Sequence, residues 1–257
     1  MIEVYVFLMG LILGSFFNVV GLRRPVKESI VKPASHCPDC KHELKWYDLI
    51  PVISYVMCLG KCRYCKKKIP IYYLLIELLC GTLFLVGYIT YGFGYEFLTF
   101  ITISSLLIII FVSDFKYMII LDGPLVICLA LIYILRFYFI GIRDASLALI
   151  SGLIIFAITY FFRLVCNFIF KKDTLGGGDI KLGLFIGTVL GLRLSLACWI
   201  IASMVAFPYA IYVSLFAKNK ELPFGPFLIS AVLITFYFTP QIELFFKIIS
   251  HAALLAN

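Results

Sequence analysis

The chain has 257 residues, 63% of them hydrophobic and only 14% charged, with a mean hydropathy of +1.07. An ordinary globular domain is roughly 45–50% apolar and about 25% charged, so soluble, disordered, fibrous and disulfide-rich secreted classes are excluded. The net charge of +8 would suggest nucleic acid in a soluble protein. In a membrane protein it reports topology, through lysines and arginines held on the cytoplasmic side.

The first apolar run is Ile2 to Val20. Its only preceding charge is Glu3, no small-residue cleavage site follows it, and it reads as a span, not a signal peptide. Arg23, Arg24 and Lys27 come directly after, which places the N-terminus outside. Residues 21–70 form the one long polar stretch and read as a small surface domain. Seven further apolar segments follow, at about 71–92, 97–113, 123–141, 145–169, 180–192, 194–217 and 225–247. The expected fold is an all-α polytopic membrane protein with about eight transmembrane helices and a cytoplasmic four-cysteine insert. Its expected divisions are a first helix (1–20), the insert (21–70) and a seven-helix part (71–257). In this orientation only Arg136, Arg143, Arg193 and Lys247 fall outside, against eighteen of the 22 basic residues inside.

Cys37-Pro-Asp-Cys40 and Cys62-Arg-Tyr-Cys65 are two C-x2-C pairs. Such pairs supply two thiolates each to a tetrahedral ion, with backbone N–H groups aimed at sulfur. On a reducing cytoplasmic side the reading is a structural Zn2+ site; iron on the same ligands and free thiols are the alternatives. His36 could replace one cysteine ligand, but polar surface is the plainer reading for it and for His42. Cys58, Cys80, Cys128, Cys166 and Cys198 read as small apolar filler.

Carboxylates close to a bilayer are functional candidates. Asp114 ends the third span and Asp179 opens the sixth, after Gly176-Gly177-Gly178, both on the cytoplasmic edge. The plain alternatives are an N-cap for Asp179 and a surface pair with Lys116 for Asp114. The glycine run lacks the Walker spacing of a phosphate loop. Asp122 rivals for one catalytic role, although it suits the start of the fourth span, just before Pro124. Asp144 falls outside and Asp173 is a loop residue. Glu77 and Asn18 read either as interhelical hydrogen bonders or as binding groups. Asp48 orders the cysteine domain.

These motifs together resemble the type IV prepilin leader peptidase family, polytopic aspartyl proteases of the GxGD class. Gly176-Gly177-Gly178-Asp179-Ile180-Lys181-Leu182 is similar to that family's second aspartate motif. Asp114, followed by Asp122 and Pro124, is similar to its first. Gly14-Ser15-Phe16-Phe17-Asn18-Val19 with Arg24-Pro25, the cysteine pairs around Asp48-Leu-Ile-Pro51, Glu77 with Gly81, and Pro223-Phe-Gly-Pro-Phe-Leu228 match the family's other motifs in order. Leu121 and Leu74 stand where the pattern has proline. The compact sequence resembles the competence-type members of Gram-positive bacteria.

The resemblance implies an aspartic endopeptidase with Asp114 and Asp179 as catalytic residues. Its substrates would be type IV prepilins and pseudopilins, of the kind used in pili, type II secretion and competence. It also implies N-methylation of the new N-terminus by S-adenosylmethionine, expected of the N-terminal part. From helix position, Asp179 suits the ionised base and Asp114 the proton donor. A proton- or ion-coupled transporter using the same two aspartates is the alternative reading. A membrane redox protein would need exposed or paired cysteines on the oxidising side, whereas the C-x2-C pairs face inward, and a metal-organised binding module would leave the aspartate motifs unexplained.

Overall fold

A computed structural model describes residues 1–171, 176–216 and 222–255, with side chains through Ser250. Asp173, Leu175 and Lys218 of the sequence reading lie outside the described residues. Among the described residues there is no β-sheet, only isolated bridges at His36–Glu43 and Lys61–Lys68. Apart from turns and loops the structure is helical: α1 Ile2–Arg23, α2 Ile53–Met57, α3 Tyr72–Tyr91, α4 Tyr95–Tyr117, α5 Asp122–Phe139, α6 Ile142–Phe170, α7 Gly177–Phe216, α8 Gly225–Tyr237 and α9 Thr239–Leu255. The chain divides into two compact units, Met1–Pro124 and Leu125–Asn257.

Six helices are long and apolar enough to cross a membrane, and α8 with α9 make a seventh candidate if counted together. The expected eight segments map onto these helices with two differences. The sixth and seventh lie on one helical run, α7, which is 40 residues long. A straight helix of that length would measure about 60 Å, twice the roughly 30 Å hydrocarbon core. Gly191 divides it, with φ 74° and ψ 173°, a conformation that glycine adopts without steric cost. The expected break at Gly191 to Arg193 is therefore present, but it occupies a single residue and needs no loop. The eighth segment is not one rod: α8 and α9 meet at 78°.

In the first unit, α1 lies against α3 and α4 by means of small residues. A Cβ added at Gly10 would sit 2.8 Å from the Gly81 Cα, and one at Gly14 would sit 2.7 Å from the Cys80 Cβ. At Gly21 it would meet the Val112 Cβ of α4 at 2.7 Å. Lipid tails are as apolar as leucine, so helices in a bilayer gain from such close packing, not from hiding apolar surface. A core of Val6, Ile76, Cys80, Phe84, Phe97, Ile108 and Val112 fills this unit. Its α4 carries buried hydroxyls that return to their own helix: Ser104 Oγ donates to the Phe100 carbonyl at 2.8 Å, and Thr102 Oγ1 to that of Leu98 at 2.7 Å. Buried hydroxyls without such partners would be costly in hydrocarbon.

In the second unit, α6 and the first half of α7 run antiparallel. Gly183 faces Thr159 and Gly187 faces Gly152, and a Cβ on Gly187 would lie 2.6 Å from the Gly152 Cα and 2.7 Å from the Ser151 carbonyl. The far end is tied by Arg136, which donates to the Asp144 carboxylate at 2.7 Å and to the Val189 carbonyl at 2.8 Å. Gly187→Leu must therefore push backbone away from backbone. It is expected to lower stability by about 1–3 kcal/mol or more, read as a fall in the thermal unfolding midpoint of the detergent-solubilised protein. Gly123→Ala meets nothing within 4 Å and is the matched control, expected to shift the midpoint little.

Candidate active site and metal centre

The insert between α1 and α3 has almost no core of its own. The turn Trp46–Leu49 and α2 bury no residue, whereas Cys37 and Cys62 are buried. Each cysteine pair forms the same knuckle. In the first, Cys37 N–H donates to the His42 carbonyl and Lys41 N–H donates back to that of Cys37, both at 3.0 Å. In the second, Cys62 N–H donates to the Lys67 carbonyl at 2.8 Å and Lys66 N–H to that of Cys62 at 3.0 Å. The residue after each second cysteine, Lys41 or Lys66, takes positive φ (56° and 59°). That turn swings the backbone round so that both sulfurs of a knuckle face the same point.

The two knuckles bring the Sγ atoms of Cys37, Cys40, Cys62 and Cys65 within 4.8 Å of one another. Cys37 and Cys65 approach to 3.8 Å. A tetrahedral ion with thiolate bonds of about 2.3 Å has S···S edges of about 3.8 Å, so the four sulfurs fit such an ion. His36 stays out of the cluster, with Nδ1 3.1 Å from the Ala34 carbonyl, and His42 packs against the Tyr64 ring at a tilt of 32°. Burial pushes the Cys62 thiol up, but the backbone N–H groups of Cys65 and Tyr64 outweigh it and bring it to about 7. At Cys65 a backbone N–H from Lys67 acts downward, yet burial and the thiols of Cys62, Cys40 and Cys37 raise it to about 11. The cluster thus favours one negative charge before the others, which is what close thiols do without a cation among them.

Asp48 braces this centre as expected. Its carboxylate accepts from Arg63 Nε at 2.9 Å, Tyr64 Oη at 3.0 Å and Lys45 N–H at 3.3 Å. Lys67 pairs with Asp39 across the knuckles at 2.8 Å. Of the remaining cysteines, Cys80, Cys128 and Cys198 are buried, and Cys58 and Cys166 partly so.

Glu77 has a partner that sequence reasoning did not name. It lies in the second turn of α3, and its Oε2 accepts from the Val52 N–H at 2.9 Å. Val52 sits at φ 63° and ψ −52°, and Ile53 N–H reaches the Pro51 carbonyl at 2.6 Å. This is a γ-turn at a β-branched residue, a costly backbone conformation. The carboxylate holds that turn against the membrane helices. Asn18 of α1 is 2% exposed, and its Oδ1 has no hydrogen-bond partner. The interhelical bond expected there does not form through this oxygen.

The two aspartates occupy the helix ends that the sequence indicates. Asp114 is in the last turn of α4 and 6% exposed. Met118, in the left-handed conformation, caps that end by donating to the Asp114 carbonyl. Asp179 is in the first turn of α7 and 8% exposed. Gly176 lies beside it: a Cβ there would come within 3.0 Å of the Asp179 Oδ2. Glycine thus leaves that carboxylate uncrowded on its N-terminal side. Asp122 begins α5 and is exposed, in keeping with a helix-start role two residues before Pro124. Asp114 belongs to the first unit and Asp179 to the second.

Comparison with known proteins gives this arrangement a family. Residues 8–91 match the bacterial peptidase A24 N-terminal domain, and residues 101–237 match the type IV leader peptidase family. The chain belongs to the type IV leader peptidase family. It is 31% identical to the prepilin leader peptidase/N-methyltransferase of Bacillus subtilis (strain 168), over 93% of this chain and 96% of that protein. It is also 31% identical to the protein of that name from Vibrio cholerae, over 90% of this chain and 94% of the relative. The Myxococcus xanthus relative is 34% identical over 78% of this chain and 60% of its own. No solved structure matches.

Proposed function

We propose that the protein is a membrane aspartyl endopeptidase that removes short basic leaders from prepilins or pseudopilins and methylates the new N-terminus. The observation that carries this reading is full-length similarity to leader peptidases, together with buried carboxylates at two helix ends, Asp114 and Asp179. The N-terminus lies outside, and the cysteine insert and both aspartates lie at the cytoplasmic face. The 18-to-4 distribution of lysine and arginine supports this orientation. A substrate anchored by its own apolar helix would present its leader at that depth.

Peptide hydrolysis by two carboxylates needs one to activate water and one to protonate the carbonyl oxygen. A carboxylate dyad of this kind works with one member ionised and the other protonated. Asp179 stands at a helix N-terminus, which favours an anion, and takes the base role. Asp114 stands at a helix C-terminus, which disfavours one, and donates the proton. Removal of the water proton by Asp179 and protonation of the carbonyl by Asp114 lead to the tetrahedral intermediate. The C–N bond then breaks as Asp179 gives its proton to the departing amine, while Asp114 recovers a proton from the hydroxyl of the intermediate, which becomes the new carboxyl carbonyl.

Zinc suits the four thiolates of Cys37, Cys40, Cys62 and Cys65, and its work there is to hold the insert. A closed four-thiolate site leaves no coordination position for substrate. S-adenosylmethionine supplies the methyl group. The direct test is to incubate membranes containing the protein with a pilin-like substrate and weigh the product. Loss of the leader after a glycine, with the apolar helix intact, is expected. A substrate of unchanged mass would overturn the peptidase reading.

A further inference from the structure

The cysteine insert is polar overall, yet one stretch of its surface is apolar. Ile53, Val56 and Met57 of α2, and Leu59 just after it, are each more than half exposed. The first three recur at i, i+3 and i+4, so they share one face of the helix. Ser54, Tyr55 and Cys58 take the opposite face and line a cavity between α1, α3 and the insert, beside Asn18 and Glu77. Tyr55 Oη also donates to the Ile69 carbonyl at 3.2 Å. The short α2 is therefore packed on one side and bare on the other. Contiguous exposed apolar groups of this kind mark contact with a protein or with a membrane.

Depth decides between the two. Glu77 Oε2 holds the N–H of Val52, the residue just before α2, at 2.9 Å. Glu77 comes five residues after Tyr72, the first residue of α3, and so lies ~7.5 Å along the helix axis from it. Helix side chains lean back toward the N-terminus. Val52, with α2 behind it, is thus held level with the first turn of a membrane span, not out in solvent above it. At that level lipid headgroups meet the upper ends of the acyl chains, where amphipathic helices settle with their apolar face down.

Charge points the same way. Residues 21–70 carry eleven lysines and arginines against four carboxylates. Two of those carboxylates are paired inside the insert, Asp48 with Arg63 and Asp39 with Lys67. Lys61, Lys66 and Lys68, on the chain that leaves α2, are exposed and suit anionic headgroups. The same lysines would repel a basic leader, which disfavours the substrate as the occupant of this face.

We propose that the outer face of α2, Ile53, Val56 and Met57 with Leu59, inserts into the headgroup–acyl boundary of the leaflet that α3 enters, where the lysines of the insert bind anionic lipid. The inference goes beyond the proposed reaction and does not depend on it. Lipid then covers the side of α2 that the small insert cannot cover itself, and α2 becomes a wall with the cavity on one side and the bilayer on the other.

The test uses the full chain in vesicles of mixed zwitterionic and anionic phospholipid. The chain has two tryptophans, Trp46 and Trp199. With both changed to phenylalanine, Met57→Trp leaves a single indole on the outer face of α2. Its fluorescence is expected to fall about twofold or more with lipid brominated near the headgroup end of the chains, and less with lipid brominated at the chain ends. It should be shielded from acrylamide in the water. Ile53→Glu with Val56→Glu in the same background should undo both effects, and vesicles of zwitterionic lipid alone should weaken the lipid quenching. The unfolding midpoint reports whether each variant is folded; if the double glutamate variant is not, the brominated-lipid result at position 57 still decides. An indole open to acrylamide and untouched by brominated lipid overturns the proposal and puts the face in water. An indole shielded from acrylamide but untouched by either brominated lipid overturns it as well, and makes the face a contact for protein, such as a second copy of this chain. Equal quenching with and without anionic lipid overturns the part given to the lysines.

Discussion

Asparagine at Asp114 or Asp179 is expected to lower leader removal about a thousandfold or more, a loss of about 4 kcal/mol in transition-state stabilisation. The substitution keeps shape and hydrogen-bonding capacity but removes the titrating group. An amide at Asp179 cannot take a proton from water, and one at Asp114 cannot deliver one to a carbonyl. In the proposed mechanism the two act as a unit, so the double variant is expected to be little worse than either single one. The measurement is substrate mass after co-expression, with protein level checked by blot. Methylation depends on the amine that cleavage creates, so a pre-cleaved substrate should still gain about 14 Da per methyl in both variants. Cleavage surviving in either single variant would return that carboxylate to a helix-end role. Asp122→Asn, by contrast, alters an exposed residue at the start of α5 and should leave cleavage within a few-fold of wild type.

Removing the metal should have the next largest effect, on folding. The insert buries little besides Cys37 and Cys62, so in the proposed zinc site four metal–sulfur bonds would do most of what a core would do. Structural zinc contributes on the order of 10–16 kcal/mol in small zinc domains near pH 7. Chelation, or Cys62→Ser, is expected to abolish hydrogen-exchange protection at the knuckle amides of Cys37, Lys41, Cys62 and Lys66. Protection in the membrane helices should persist. Elemental analysis should find about one zinc per chain. Without metal, the thiol at Cys62 lies at about 7 and that at Cys65 at about 11. Uptake must therefore expel protons, and affinity should fall as pH drops below about 11 and more steeply still below about 7. Knuckle amides that stay protected in zinc-free protein would show that the insert needs no metal.

The parts of this molecule that are legible in its sequence have strong local signals. Runs of about twenty apolar residues mark spans because bilayer thickness fixes their length. Two C-x2-C pairs mark knuckles because each supplies its own turn and both sulfurs. The positions of Asp114 and Asp179 at helix ends follow from where the apolar runs stop. Hidden features depend on partners distant in the chain. Glu77 binds a backbone N–H at Val52, and nothing in the residue types around Val52 predicts a γ-turn. Asn18 looks like any interhelical amide until its surroundings are seen to include a cavity. The bend between α8 and α9 did have a signal, Pro240 in the first turn of a new helix. A continuous apolar run concealed it.

The knuckles also bear on how the chain is assembled. The segment between Arg23 and Tyr72 is long enough to behave as a loose coil, and such a tether would let α1 and α3 drift apart. A metal ion cross-linking its middle at the four sulfurs would turn the tether into a short clasp. The Glu77–Val52 bond fastens that clasp to the wall of α3, and Arg23 fastens the other side through the carbonyls of Ser29, Pro33 and Ala34. Two membrane helices that lack a tight turn between them are thereby joined as closely as if they had one. An ion held at the four sulfurs would lower the entropy cost of bringing that helix pair together.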